Sequence, residues 1–384
     1  MGKNVENIVA DTFLDIAKGL ETGDFGNRPK IALTGMGSEH GEDNAMAAAV
    51  AAAESGIDVY YIGSLKHEAV TTVEVKDDEE GHKKMEDMVN NGEVDGAVTM
   101  HFPFPIGVST VGRVVTPACG KEMFLATTTG TSSADRIEGM IKNAIYGIIA
   151  AKSCGINNPS LGILNVDGAR QCEMALRELA DGGYDINFAE SSRADGGIVM
   201  RGNDVLLGTP DIMVCDSLTG NILVKMMSAY TSGGSFEAVG YGYGPGIGKD
   251  YDKLVGIISR ASGAPLITNA IKYMAQVVKG GIIKIAKDEF AKAEAAGLSK
   301  ILDARKAESA QTSANTEEVE APPSEVVTEQ IAGIEIMDLE NAVSALWKEK
   351  IYAESGMGCT GPIVLVSKAN IDKAKEVLSN LKFI

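Results

Sequence analysis

The sequence predicts an α/β fold: a parallel or mixed sheet with helices on both faces, followed by a small C-terminal α-β-α module. Short apolar runs alternate with longer helical patterns from residue 30 onward, as in α/β domains. Residues 306–330 are polar and rich in Glu, Ser, Thr, Ala and Pro, a composition typical of linkers. We therefore expect an α/β domain over residues 1–305, an acidic flexible linker over 306–330 and a module over 331–384.

The elements follow one another in a regular order. The first strand, "KIALTGM", leads into the alanine-rich helix "EDNAMAAAVAAAES" and then the strand "DVYYIG". Further strand-like runs are "DGAVTMHF", "EMFLATTT", "LGILNV", "DINFAES", "DIMVCDS" and "LVGIIS", and the helices "KYMAQVVKG" and "DEFAKAEAAGLSKILDAR" close the domain. The module consists of the helix "MDLENAVSALWKEKIYAE", the glycine-rich loop "ESGMGCTGP", the strand "PIVLVSK" and the helix "NIDKAKEVLSNLKFI".

Composition excludes several function classes. The formal net charge of −18 opposes binding to nucleic acid or to an anionic membrane. No apolar run approaches the roughly 20 residues of a membrane span, and the N-terminus lacks the pattern of a signal peptide. The five cysteines form no CxxC pair and the four histidines have no zinc-ligand spacing, so we expect a cytoplasmic protein without a metal.

Three strand-to-helix junctions are candidate anion sites, since free amides point outward where helices begin. In "ALTGMGSEHGED", Gly35 and Gly37 permit a tight turn. Either the amides of this loop hold an anion, or the loop is an ordinary cap in which Ser38 begins the next helix. The spacing is not GxGxxG and no Walker lysine follows, which disfavours a dinucleotide.

The second junction, "ATTTGTSSADRIEGMI", is unusually rich in hydroxyl groups. A capping turn needs one Ser or Thr, whereas residues 127–133 supply six. Hydroxyls together with free amides suit phosphate oxygens, although a plain capping turn remains the alternative. The phosphate ligands predicted here are Thr128, Gly130, Thr131 and Ser132.

The third junction follows the buried strand "DIMVCDS". Asp216, Thr219 and Asn221 lie between this strand and the next helix, and we predict that they contribute to the phosphate site. Of the arginines near strand ends, at 113, 170, 193, 201 and 260, we select Arg201 as the phosphate ligand.

One cysteine stands in a setting that could activate its thiol. In "ESGMGCTGP", Cys359 is preceded by Gly356 and Gly358 and followed by Thr360 and Gly361. Successive amides in such a loop can lower the pKa of a thiol and hold an oxyanion. The residues alone leave two alternatives open, the loop residue Cys119 in "TPACGKEM" and the absence of a catalytic cysteine.

The segment "DIMVCDSLTGNILVK" resembles the phosphate acyltransferase family of phospholipid synthesis. "VSTVGR" is similar to the glycine-containing serine loop of that family. The resemblance implies an α/β fold related to isocitrate dehydrogenase and to phosphate acetyltransferases.

A closer resemblance covers nearly the whole chain. "MHFPFPIGVSTVGRVVTP", "ATTTGTSSADRIEGMIKNAIYGIIAAK", "ILNVDGARQ", "GYGYGPGIG" and "YAESGMGCTGPIV" are similar to the alpha subunits of component C of glycine/sarcosine/betaine reductase complexes. This resemblance implies a hetero-oligomer with a component C beta subunit. It also implies that a selenoprotein, component A, carries a carboxymethyl group on selenium.

The resemblance further implies a reaction. Cleavage of the selenoether gives an acetyl thioester on Cys359, and phosphate, the co-substrate, then releases acetyl phosphate without another cofactor. Two other functions remain open: a stand-alone phosphate acyltransferase that uses acyl-CoA or an acyl carrier protein, and a non-catalytic scaffold subunit.

Overall fold

The structure is a computed structural model. It describes residues 28–194, 196–314, 321–334, 338–358 and 361–384, together with residues 9, 12–14, 16–17 and 19–20. The chain forms two compact units. The first comprises Met1–Leu164 and Ala175–Gly297, and the second comprises Asn165–Met174 and Leu298–Ile384.

The described residues of the first unit form one sheet of twelve strands. These strands are β1 (Lys30–Thr34), β2 (Asp58–Gly63), β3 (Thr71–Glu74), β4 (Gly96–Thr99), β5 (Val108–Val115), β6 (Glu122–Thr131), β7 (Ser160–Leu164), β8 (Asn187–Phe188), β9 (Val199–Met200), β10 (Ile212–Val214), β11 (Gly244–Gly248) and β12 (Val255–Ile257). The order across the sheet is β3-β2-β1-β4-β12-β11-β5-β6-β10-β7-β8, with β9 beside β7.

Helices connect most of these strands. Up to residue 297 they are α1 (Glu42–Ala53), α2 (Asp78–Asn90), α3 (Arg136–Ser153), α4 (Ala169–Asp181), α5 (Gly202–Leu207), α6 (Ser217–Ala229), α7 (Ala264–Lys279) and α8 (Ile282–Ala295). Helix α3 is buried along most of its length, with Met140, Ile141, Ile145 and Ile149 almost inaccessible to solvent. A helix that is apolar on all sides belongs in the interior of a large domain. The α/β class predicted from the sequence is confirmed.

Strand direction divides the sheet into two halves. β3, β2, β1, β4 and β12 run parallel, β11 is antiparallel to both β12 and β5, and β5 is antiparallel to β6. β6, β10, β7 and β9 are again parallel. The carboxyl ends of β1, β4 and β12 therefore share one edge, which we call the switch-point edge. Those of β6, β10 and β9 share the opposite edge, which we call the hydroxyl-turn edge.

The second unit has its own core. Its antiparallel sheet has the order β13-β15-β14 and consists of β13 (Glu329–Ala332), β14 (Ala353–Gly358) and β15 (Gly361–Val366). The helices that follow residue 297 are α9 (Leu298–Ala314), α10 (Leu339–Lys348) and α11 (Ile371–Asn380). The buried core includes Ile331, Leu339, Val343, Leu346, Ile351, Val364, Val366 and Leu378.

The bounds predicted for the linker differ from the structure at both ends. Helix α9 continues to Ala314, past the predicted start of the linker, because "KAESAQTSA" consists mostly of residues compatible with an exposed helix. β13 begins at Glu329, before the predicted end, because Ile331 joins the core of the second unit. Residues 315–320 lie outside the described part of the chain, and the flexibility of this segment stays a prediction.

The glycine-rich stretch before the last strand also differs from expectation. Gly356 pairs with Ile363 and Gly358 pairs with Gly361, so these glycines lie in two antiparallel strands rather than in an open loop. In the described residues, no helix is long and apolar enough to cross a membrane.

Candidate active site

Two of the predicted phosphate ligands at the hydroxyl-turn edge are buried structural residues. The hydroxyl of Thr128 is 2.7 Å from the carbonyl oxygen of Tyr243 and 2.8 Å from the hydroxyl of Thr110. The hydroxyl of Ser132 bonds to Asn143 and lies 2.6 Å from that of Ser109. Both hydroxyl groups are enclosed and already bonded within the fold, and the assignment of Thr128 and Ser132 as phosphate ligands stays a prediction.

Gly130 and Thr131 complete the end of β6. Gly130 has a φ of +82°, and a Cβ there would lie 2.6 Å from the carbonyl oxygen of Val108. The close approach of β5 therefore explains why a glycine occupies position 130. Thr131 is exposed and is the one member of the predicted hydroxyl set here that faces solvent.

Asp216 caps helix α6 and pairs with an arginine. Its carboxylate accepts hydrogen bonds from the backbone N–H of Thr219 at 3.0 Å and from the hydroxyl of Thr219 at 2.7 Å. Arg136, at the start of α3, lies 3.1 Å away. Burial opposes ionisation, but the hydrogen bonds from Thr219 and the guanidinium of Arg136 hold the pKa of Asp216 below its ordinary value.

Asn221 and Arg201 also have structural roles. The side-chain amide of Asn221 donates to the carbonyl oxygen of Thr128 at 3.1 Å, which fastens α6 to β6. Arg201 precedes α5, and its backbone N–H donates to Asp204 at 2.9 Å. The parallel strands bring Arg201, Thr131 and Asp216 to the same edge of the sheet. Their assignment as phosphate ligands stays a prediction.

The switch-point edge has the geometry that ligand sites favour in open α/β sheets. The chain passes from β1 outward to β2 and β3, and then crosses to the other side of β1 to form β4. Ligands bind in the crevice at the carboxyl ends of strands where the order reverses in this way. The last residues of the two strands, Thr34 and Thr99, meet here with their hydroxyl oxygens 2.9 Å apart.

The loop after β1 exposes backbone donors at this crevice. A Cβ at Gly35 would lie 2.1 Å from the hydroxyl oxygen of Tyr61, so only glycine fits, and Gly37 has a φ of +89°. Within the described part of the chain, the backbone N–H groups of Met36, Gly37 and Ser38 have no acceptor. Consecutive free amides form a concavity suited to an anion. The loop therefore offers donors to an anion, and the anion site stays a prediction.

Charged side chains from two other elements reach the same crevice. Arg260 follows β12, and its guanidinium lies 3.7 Å from a carboxylate oxygen of Asp78 at the start of α2. The other oxygen of Asp78 lies 3.5 Å from Nε2 of His82, whose Nδ1 is 3.4 Å from the Thr99 hydroxyl. The ring of His101 packs edge-on against that of His82. Asp78 thus positions both an arginine and a histidine beside the free amides.

Sequence reasoning missed this cluster for an identifiable reason. Arg260 is one of five arginines near strand ends, and the sequence does not distinguish it from the other four. The spacing of the histidines addresses only a metal site, and no group of three or more His, Cys, Asp or Glu suited to a metal occurs in the described residues. The usable signal was the strand "LVGIIS" immediately before Arg260, because a basic residue at the carboxyl end of a parallel strand can reach a ligand.

The cysteines differ sharply in their availability. Burial raises the pKa of the Cys154 thiol to about 11 and that of Cys172 to about 12, and it also raises the pKa of Cys215. Cys119 is exposed. Cys359 and Thr360, between β14 and β15, lie outside the described residues, so the predicted nucleophile and its amide setting stay predictions.

Comparisons with known proteins agree on the family. The family model described as "Fatty acid synthesis protein" matches residues 29–365. The chain is 54% identical over 379 residues to a glycine/sarcosine/betaine reductase complex component C subunit alpha from Peptoclostridium acidaminophilum, covering 98% of each chain. A phosphate acyltransferase from Crocosphaera subtropica is 24% identical, covering 53% of this chain and 70% of the relative.

A solved structure is also similar to part of this chain. A branched-chain phosphotransacylase from Enterococcus faecalis superposes with a TM-score of 0.46 and 14% identity, covering 65% of this chain and 99% of that protein.

Proposed function

Because the chain belongs to the family of component C alpha subunits of glycine/sarcosine/betaine reductase complexes, we propose that it forms an acetyl thioester and transfers the acetyl group to phosphate. The observation that carries this proposal is 54% identity along 98% of both chains. The match of residues 29–365 to a fatty acid synthesis protein family, together with phosphate acyltransferase relatives, supports acyl transfer as the reaction class. The partners we propose are a component C beta subunit and the selenoprotein component A, in the cytoplasm.

The proposed reaction has two parts. Component A presents a carboxymethyl group on selenium. When the carbon–selenium bond breaks, selenium forms a selenium–sulfur bond with a thiol of component A, and the two electrons and the proton released reduce the methylene carbon to a methyl group. The Cys359 thiol condenses with the carboxyl group, one oxygen leaves as water, and the two-carbon unit remains as an acetyl thioester on Cys359. An oxygen of hydrogen phosphate then attacks the thioester carbonyl. Acetyl phosphate leaves, and the proton lost by phosphate returns to the Cys359 sulfur, so that atoms and charge balance. The protein must therefore bind phosphate near an oxyanion that develops transiently.

The switch-point edge is the phosphate site that we propose. Arg260 offers a permanently charged donor, the amides of residues 36–38 offer dipoles, and His82 lies within reach of the same crevice. Arginine and free loop amides are the donors that phosphate sites use most often. The hydroxyl-turn edge offers fewer free donors, since Thr128 and Ser132 are occupied.

Arsenate-dependent hydrolysis of acetyl phosphate tests the proposal. Acetyl phosphate first acetylates the thiol by the reverse reaction, and arsenate then attacks the thioester in place of phosphate. The acetyl arsenate that forms hydrolyses at once, so turnover reports the thioester step alone. We expect the purified chain, or its complex with the beta subunit, to be active and Cys359→Ala to be inactive. Cys119→Ala is the matched control because Cys119 is exposed, and it should retain activity.

The same assay separates the two other functions. Full activity of Cys359→Ala would eliminate the thioester role. Activity with acyl-CoA as donor would favour a stand-alone acyltransferase, which the names of the relatives at 24% to 31% identity suggest. A complex whose activity survives alkylation of Cys359 would leave a scaffold role for this chain.

A further inference from the structure

The N-terminal part of the chain presents a row of exposed apolar side chains. The described residues between positions 9 and 20 are all helical. Val9, Phe13, Ile16 and Leu20 are 47%, 69%, 45% and 71% exposed. Their spacings of three and four residues place them on one side of a helix. We call these four residues the N-terminal stripe.

A helical face of this kind is normally covered. Apolar residues at every third or fourth position form the side of a surface helix that packs against a core. Burying one such side chain completely contributes about 1.5–3 kcal/mol, yet all four side chains of the N-terminal stripe are exposed. Burial of the stripe against a partner would therefore release a favourable free energy that the isolated chain does not use.

The N-terminal stripe precedes the region that matches the wider family. The match to the fatty acid synthesis protein family begins at residue 29. The match to the component C alpha subunit covers 98% of this chain, which leaves too few residues unmatched to exclude most of residues 1–28. A segment that lies within the component C match but outside the family model suits a role specific to component C.

We propose that the N-terminal stripe docks into an apolar groove of the component C beta subunit. The inference rests on the function proposed above, in which this chain acts together with that subunit. Amphipathic helices bind apolar grooves through anchors at positions i, i+4 and i+7, which is the spacing of Val9, Phe13 and Ile16. Phe13 is the largest of these anchors and should fill the deepest part of the groove.

Charge complementarity defines the rest of the groove. Acidic residues outnumber basic ones in residues 1–28, and the whole chain carries a net charge of −18. We therefore expect basic residues along the rim of the groove. A second copy of this chain would bring the same acidic surroundings and be repelled. Helices that lie on membranes carry Lys and Arg on their polar face, whereas acidic residues predominate here.

Calorimetric titration of the purified full-length chain with the beta subunit tests the proposal. Phe13→Asp should raise the dissociation constant of the complex about 30-fold or more, as expected for an interface hot spot. Leu14→Asp is the matched control and should leave the dissociation constant within about twofold of wild type. Leu14 is 61% exposed on the same helix but lies about 100° around it from Phe13, outside the N-terminal stripe.

A conservative variant separates docking from folding. Phe13→Leu keeps an apolar anchor and should retain most of the affinity for the beta subunit. The midpoint of urea unfolding should be the same for Phe13→Asp, Leu14→Asp and the wild type, because both side chains are exposed.

Three results would overturn the inference. A beta subunit that binds Phe13→Asp as tightly as the wild type would do so and leave the proposed function standing. So would Phe13-dependent binding to phosphatidylglycerol vesicles, or Phe13-dependent dimers in sedimentation velocity, with no change in affinity for the beta subunit. A wild-type chain without affinity for the beta subunit would overturn both this inference and the proposed partner, while Cys359→Ala would still test acetyl transfer.

Discussion

Arg260 is the side chain on which phosphate binding at the switch-point edge should depend most. Its guanidinium is about half exposed and is aligned by Asp78 beside the amides of residues 36–38. Arg260→Gln retains a hydrogen-bond donor but removes the charge. We expect kcat/KM for arsenate to fall about 10- to 100-fold, because a hydrogen bond to a charged group contributes about 1.5–3 kcal/mol. Steady-state kinetics of acetyl phosphate hydrolysis measure this.

Arg201→Gln is the matched comparison, since Arg201 is the arginine that the sequence favoured. It lies at the hydroxyl-turn edge, where its backbone N–H is bonded to Asp204. We expect this variant to keep kcat/KM for arsenate close to the wild-type value. The reverse pattern, with Arg201 essential and Arg260 dispensable, would return the phosphate site to the hydroxyl-turn edge.

The local sequence identifies the turns, but it does not show which partners their side chains bind or whether those side chains are buried. The sequence shows a cluster of hydroxyls at the end of β6, whereas the hydrogen bonding of Thr128 depends on the carbonyl oxygen of Tyr243, 115 residues away in the chain. Arg260 reaches Asp78 only because β12 lies next to β4 in the sheet. These contacts are set by strand order, which no local pattern contains.

Replacing a glycine within a helix by alanine tests how closely that helix packs against its neighbours. In α6, a Cβ at Gly220 would lie 1.8 Å from the backbone oxygen of Thr127, so Gly220→Ala must push the helix away from β6. We expect a loss in the free energy of unfolding of about 2–4 kcal/mol, as for other overpacked or displaced core elements. The midpoint of urea unfolding measures the change.

Gly139, in α3, is the control for that substitution. The nearest atoms to a Cβ there belong to Ser133, at 3.8 Å, so alanine fits. Gly139→Ala should stabilise the protein by about 0.4–1 kcal/mol, because alanine loses less backbone entropy on folding. Equal effects at the two positions would show that the contact between α6 and β6 is looser than the structure indicates.

Helices and strands with a clear hydrophobic pattern could be predicted from the sequence, and those without one could not. Strands such as β1 and β10 were identifiable because they are short apolar runs that become fully buried. β14, "AESGMG", was not, because glycines and polar residues obscure its alternation and its pairing with β15 provides the missing information. The polar composition of residues 306–314 indicates a linker, although these residues form the last turns of helix α9.

The second unit is discontinuous in sequence, and this affects how it can be isolated. It includes Asn165–Met174 as well as Leu298–Ile384. Gln171 donates to a carboxylate oxygen of Asp338 at 2.7 Å. Burial raises the pKa of Asp338, and the hydrogen bond from Gln171 partly offsets this by stabilising the charged form. A fragment that begins at residue 331 would lack this donor and the segment that provides it.

Gln171→Ala in the full chain isolates that contribution. Removing the donor leaves a half-buried carboxylate less well stabilised, so we expect the second unit to lose about 1–2 kcal/mol at neutral pH. The loss should shrink as pH falls, because a protonated Asp338 no longer needs the donor to stabilise its charge. Hydrogen exchange at the buried β15 residues Val364 and Val366 provides the measurement.

Gln276→Ala, which removes a donor to the carbonyl oxygen of Cys154 in the first unit, should leave that exchange unchanged. If Gln171→Ala also left it unchanged, segment 165–174 would contribute little to the stability of the unit, and residues 298–384 should fold on their own.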